Sequence, residues 1–166
     1  MDKLSPVLYE LGYEMGIVDR YIKTMWYTFE SRYGDSDTNT KMCHKLSNLK
    51  NKLESELDDF ACNSYPLTVT HLPGHNIKIT DIFYNINRIT MEEADLLINP
   101  IRPYPKTLSK KDIEEFSAMI GYIGTYILKV NGLLSQKGTI NENVKSMLYF
   151  LDKLTNFLKN EVVEEK

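Results

Sequence analysis

Large apolar residues recur every three or four positions along four stretches of the chain, the signature of helices that bury one side. The first stripe is Leu8, Leu11, Met15, Val18, Ile22, Met25 and Phe29. Ser5 and Pro6 stand where a capping hydroxyl and a first-turn proline belong, and Gly34 followed by Asp35-Ser36-Asp37 ends the segment. The second stripe is Met42, Leu46, Leu49, Leu53, Leu57 and Phe60. The fourth runs Ile113, Phe116, Ile120, Ile123, Ile127, Val130 and Leu134, opened by Ser109 with Asp112 three residues on, a near-capping box. The fifth runs Ile140, Val144, Met147, Leu151, Leu154 and Leu158, opened by a Thr139/Glu142 capping box and separated from the fourth by Gly138.

A third, less regular segment spans about Asp81 to Ile98 with Ile82, Ile86, Ile89 and Leu96 or Leu97, and Pro100, Pro103 and Pro105 follow it. Between the second and third segments the period changes. Leu67-Thr68-Val69-Thr70 and Ile77-Lys78-Ile79 alternate on either side of Pro73-Gly74, which predicts a small β-hairpin excursion at about 66–80. The expected architecture is mainly all-α: one domain over 1–166, an antiparallel four- or five-helix bundle carrying that excursion.

Composition narrows the class without naming an activity. With 42% hydrophobic and 26% charged residues the chain is neither disordered nor membrane-like. The net charge of −3 is spread evenly, and no segment carries a basic excess greater than one, so the footprint of a nucleic-acid binder is missing. No apolar run approaches a bilayer span, and Met1-Asp2-Lys3-Leu4-Ser5-Pro6 has no signal-peptide pattern. Two cysteines make no disulfide scaffold, so reduced thiols in a cytoplasmic setting are expected. The abundance of Lys, Ile, Asn and Tyr is that of a low-GC coding sequence, bacterial or phage.

Two constellations could carry metal chemistry. All five Cys and His residues lie between Cys43 and His75. On a continuous helix Cys43 and Cys62 would stand about 28 Å apart and could not share an ion, which leaves Cys62, His71 and His75 as a zinc set, with His71 and His75 facing each other across the hairpin loop. The second constellation is acidic. Glu56 with Asp59, and Glu92 with Asp95, are i, i+3 pairs that each occupy one helix face and could hold Mg²⁺ against a triphosphate. Glu92-Glu93-Ala94-Asp95-Leu96-Leu97 resembles the second acidic motif of the all-α nucleoside-triphosphate pyrophosphohydrolases of the MazG and dimeric dUTPase type. That resemblance implies a Mg²⁺-dependent hydrolase acting through Glu56, Asp59, Glu92 and Asp95, with Arg88 the nearby cation. Walker A, Rossmann, Gly-x-Ser-x-Gly, His-Glu-x-x-His and Glu-x-x-His patterns are absent.

The first segment has a second apolar face. Opposite its core stripe fall Tyr9, Tyr13, Ile17 and Tyr27, with Trp26 on a flank and Gly12 and Gly16 between the two faces. A helix apolar on both sides is either central in its domain or covered by another molecule, and Tyr and Trp favour half-wet binding surfaces. The expectation is therefore a non-enzymatic interaction module (an adaptor, inhibitor or immunity-type protein) that binds a partner or itself through Tyr9, Tyr13, Ile17, Trp26 and Tyr27. The Mg²⁺-dependent hydrolase is the alternative.

Overall fold

Asp2 starts the first helix: its Oδ1 accepts from the backbone N–H groups of Leu4 and Ser5. Two donors that a helix start leaves orphaned are thereby satisfied, and the Ser5 hydroxyl, expected to cap, is used elsewhere. In this computed structural model, which describes residues 2–84 and 108–164 and the side chains as far as 160, the helix α1 covers Leu4–Tyr33. It stops at Gly34, whose φ of 91° lies in the left-handed region and whose N–H closes on the Glu30 carbonyl. Helix α2 spans Thr38–Asn63 and is capped by Asp37, whose side chain accepts from Asn39 and Thr40.

Helix α3 spans Lys110–Leu134 and has the anticipated capping box between Ser109 and Asp112. Helix α4 spans Glu142–Glu164. Its start differs from the expected Thr139/Glu142 box: Asn141 Oδ1 accepts from Asn143 and Val144, and Thr139 instead donates to the Gln136 carbonyl. The Asn131 side chain fixes that corner by receiving the Asn141 N–H at 2.7 Å and donating to the Thr139 carbonyl. Ile140 consequently lies outside the helix and is exposed.

Among the described residues the main packing runs between adjacent helices in the cyclic order α1, α2, α4, α3, with a weaker contact across the diagonal from α2 to α3. Neighbours run antiparallel. The end of α1 meets the start of α3 through Arg32 and Asp112, and the end of α2 meets the start of α4 through Glu56 and Asn141. Helices α2 and α3 are therefore diagonal and parallel, and the chain between residues 64 and 109 has to return along the bundle, about 40 Å for helices of this length. The shared core holds the whole first stripe from Leu8 to Phe29, joined by Cys43, Leu46, Leu53 and Leu57 of α2. Phe116, Ile123 and Ile127 of α3 and Val144, Met147 and Leu154 of α4 complete it. Each such side chain contributes about 1.5–3 kcal/mol by leaving water. Tyr126 is fully buried among them and donates its hydroxyl to the Leu11 carbonyl at 2.8 Å.

The excursion is not a two-stranded hairpin. Among the described residues it forms one antiparallel bridge, His71 with Lys78, supported by Leu72 N–H to the Ile77 carbonyl and Ile79 N–H to the Thr70 carbonyl. A single 3-10 turn, Ile79–Asp81, follows and packs on α2. The alternation survives on one arm only. Leu72, Ile77 and Ile79 turn into the core, whereas Leu67 is fully exposed. Most of the third predicted segment, with its prolines, lies outside the described residues. No described helix is long and apolar enough to cross a membrane.

Candidate functional site

The outward face of α1 follows from its 3.6-residue period. With Leu8, Leu11, Met15, Val18 and Ile22 consumed by the core, Tyr9, Tyr13 and Ile17 must point away from it. Tyr9 is 36% and Tyr13 43% exposed, while Ile17, Trp26 and Tyr27 are half-buried. Gly12 is buried and Gly16 half-buried between them.

The two ends of this face are covered differently. At the N-terminal end the excursion folds back on it. His75 stacks on Tyr9 with ring centroids 4.2 Å apart, and the buried Ser5 hydroxyl donates to the Pro73 carbonyl and lies 3.3 Å from His75 Nδ1. Tyr65 donates to Asp2 Oδ2 at 2.7 Å beside them, and its phenol is pushed up to about 12 by burial and by that carboxylate. At the C-terminal end Trp26 stacks on Tyr27 and meets the His44 ring of α2 at 5.0 Å. Tyr13 stands between these two covered ends.

Charged groups line both seams of α1. Toward α2, the Lys50 ammonium is buried and reaches Asp19 at 2.9 Å and Glu54 at 3.6 Å, while Lys23 reaches the other oxygen of Asp19 at 2.9 Å. Burial would raise the Asp19 carboxyl, but the Lys50 charge and the hydrogen bonds from Lys23 and Lys50 hold it below its ordinary value. Glu54 is raised because burial outweighs Lys50. Toward α3, Lys129 pairs with Glu14 at 2.9 Å, and the Tyr122 phenol is pushed up to about 12 by burial and by Glu14. The sequence pattern missed this quartet. The only signals were two i, i+4 pairs, Asp19 with Lys23 and Lys50 with Glu54, and the place of Lys50 in the α2 core stripe.

The metal constellations fare differently. His71 faces Lys78 across the bridge rather than His75, and His75 is engaged with Tyr9, Ser5 and Pro73. Cys62 contacts Asp58 at 4.0 Å. Among the described residues no three His, Cys, Asp or Glu side chains gather as a metal-holding group, so the Cys62, His71 and His75 set is not assembled. Of the acidic constellation, Glu56 accepts from Asn141 Nδ2 at 3.0 Å and secures the α3–α4 corner, and Asp59 is exposed. Glu92 and Asp95, like Arg88, lie outside the described residues.

Set against family models, curated proteins and solved structures, the chain matches none.

Proposed function

We propose that this chain is a non-enzymatic protein–protein interaction module, an adaptor, inhibitor or immunity-type protein of the cytoplasm, which receives a partner on the outward face of α1. The observation that carries the reading is the 43% exposure of Tyr13 on a helix whose opposite face is saturated by the core. The exposed part of that ring is area a partner can bury, and aromatic side chains contribute strongly when so buried. Gly12 and Gly16 beside it cost roughly 1 kcal/mol each against alanine in a helix. Ile17 extends the apolar strip by one turn, with Tyr9 and the Trp26–Tyr27 pair at its two ends. The cytoplasmic setting rests on the thiols, since Cys43 and Cys62 are both free.

The test is substitution of Tyr13 and Tyr27 by polar residues, with circular dichroism confirming the fold. Affinity purification from the native cell should then lose the partner that the unaltered chain retains. An identical pulldown profile for both proteins removes the reading.

A further inference from the structure

We propose that a second copy of this chain docks on the face formed by α2 and α4, about a two-fold axis that lies in that face and crosses both helices. This goes beyond the α1 reading and uses a different surface. The argument starts from charge placement. On α2, residues 38–53 contain Lys41, Lys45, Lys50 and Lys52 and no acid, and Asp59 lies beyond them. Lys41 and Asp59 are eighteen residues apart, five full turns, so they share one outward line. On α4, Glu142 and Lys153 are eleven residues apart, about three turns, and also share a line. All four are exposed, and none enters an ion pair among the described residues.

Because α2 and α4 run antiparallel, the two basic ends lie side by side and so do the two acidic ends. The register is fixed by Glu56 meeting Asn141 at one end and Lys45 lying over the Phe150 ring, 5.6 Å from its centre, toward the other. Residue 50 of α2 is thus level with about residue 146 of α4. The midpoint between Lys41 and Asp59 is residue 50, and the midpoint between Glu142 and Lys153 falls between 147 and 148. The two lines therefore reverse their charge at nearly the same height, within about 2 Å.

A two-fold axis at that height lays α2 antiparallel on its copy and α4 antiparallel on its copy. Each Lys41 then meets the other copy's Asp59, and each Lys153 the other copy's Glu142, so both pairs occur twice. Near the axis Lys52 faces Asn48 and Tyr149 faces Ser146, and no like charges are opposed. The floor is the groove of about 240 Å³ whose lining includes Leu49 and Phe150, with Tyr149 exposed beside it. A wholly acidic partner would suit only the basic end. A single-stranded nucleic acid would find the rings of Phe150 and Tyr149 already under Lys45 and Lys153. Self-complementarity is what selects a second copy, since matched charges set orientation and partner choice more than they add affinity.

Analytical ultracentrifugation of the whole chain, from micromolar to near-millimolar concentration, tests this. The expected result is a dimer that weakens with salt. Lys153→Glu and Glu142→Lys each raise its dissociation constant by about tenfold or more, and the double variant restores it because every pair is re-formed with signs exchanged. Lys41→Glu, on the other pair, should weaken it in the same way, and circular dichroism checks that each variant is folded. A chain that stays monomeric throughout overturns the proposal. So does a dimer indifferent to these single substitutions, or a double variant no better than its parents. Tyr13 and Tyr27 substitutions leave this dimer intact, so the two surfaces stand or fall separately.

Discussion

His75 lies nearly face to face with Tyr9, ring planes 20° apart, across sixty-six residues of sequence. With Ser5 held to the Pro73 carbonyl and Tyr65 to Asp2, the contact fastens the excursion onto the first two turns of α1. Ser5→Ala leaves the Pro73 carbonyl without that donor and should cost about 1 kcal/mol. His75→Ala should cost less globally but loosen the clamp. Amide exchange of residues 72–79 is expected to accelerate in both variants while the α2 and α3 cores stay protected.

Arg32 and Asp112 join the end of α1 to the start of α3 at 2.6 Å, with the guanidinium buried. Asp112 also completes the Ser109 capping box, so one carboxylate serves a tertiary pair and a helix start. Asp112→Asn should cost about 2 kcal/mol, less than a fully buried pair because Asp112 is partly exposed. Ser109→Ala, which removes only the cap, should cost about 1 kcal/mol. Urea denaturation of both variants measures the difference.

Acid should destabilise this protein chiefly through two partly buried carboxylates, Asp112 and Asp19. Burial would raise Asp112 and Asp19, but bonds from Arg32 and Ser109 to the first, and Lys50 and Lys23 beside the second, hold both below the ordinary 3.8. A carboxyl depressed in the folded state binds its proton more readily when unfolded. The stability it supplies is complete above about pH 4 and is lost as pH falls toward the folded-state value. Glu54, raised by burial, acts in the opposite sense and offsets part of the loss. Thermal melts between neutral pH and pH 2 should therefore fall more steeply for the parent than for Asp19→Asn or Asp112→Asn.

The thiols should separate cleanly. Cys43 is buried and its pKa is pushed far up by burial, with Asp37 adding to it. Cys62 is half-buried and raised by burial together with Asp58 and Asp59. At neutral pH a thiol reagent should label Cys62 slowly and Cys43 only after unfolding. Rapid labelling of both would contradict the packing of α2.

Tyr126→Phe removes the hydroxyl that reaches the Leu11 carbonyl in the N-terminal third of α1. The ring stays, so the change isolates one buried hydrogen bond, worth about 1 kcal/mol in a denaturation curve.

The helices were legible because each has to bury one stripe, and the stripe of α1 is in the core from end to end. In α2 the pattern was off by a fraction of a turn. Met42, Leu49 and Phe60 are only half-buried, while Cys43, Lys50 and Ala61 take inner positions. Large apolar residues advertise themselves, and a lysine or cysteine on the core line does not. The start of α4 was misplaced because Thr139/Glu142 satisfies the local capping rule as well as Asn141 does. The choice was made by Asn131 and Glu56, partners brought there by the fold. Tyr9 and Tyr13 were recognisable as outward-facing from spacing alone, but the cover that His75 gives Tyr9 depends on a loop whose path no periodicity encodes.

The diagonal placement of α2 and α3 has a consequence for biosynthesis. Helices α1 and α2 are made before α3 and α4, so the parts of their stripes that the later pair covers stay bare until the chain has passed residue 110. During that interval Leu8, Met15, Leu46 and Leu53 have no complete shelter. Apolar surface exposed in this way is aggregation-prone, and prompt delivery of the closing pair shortens that exposure.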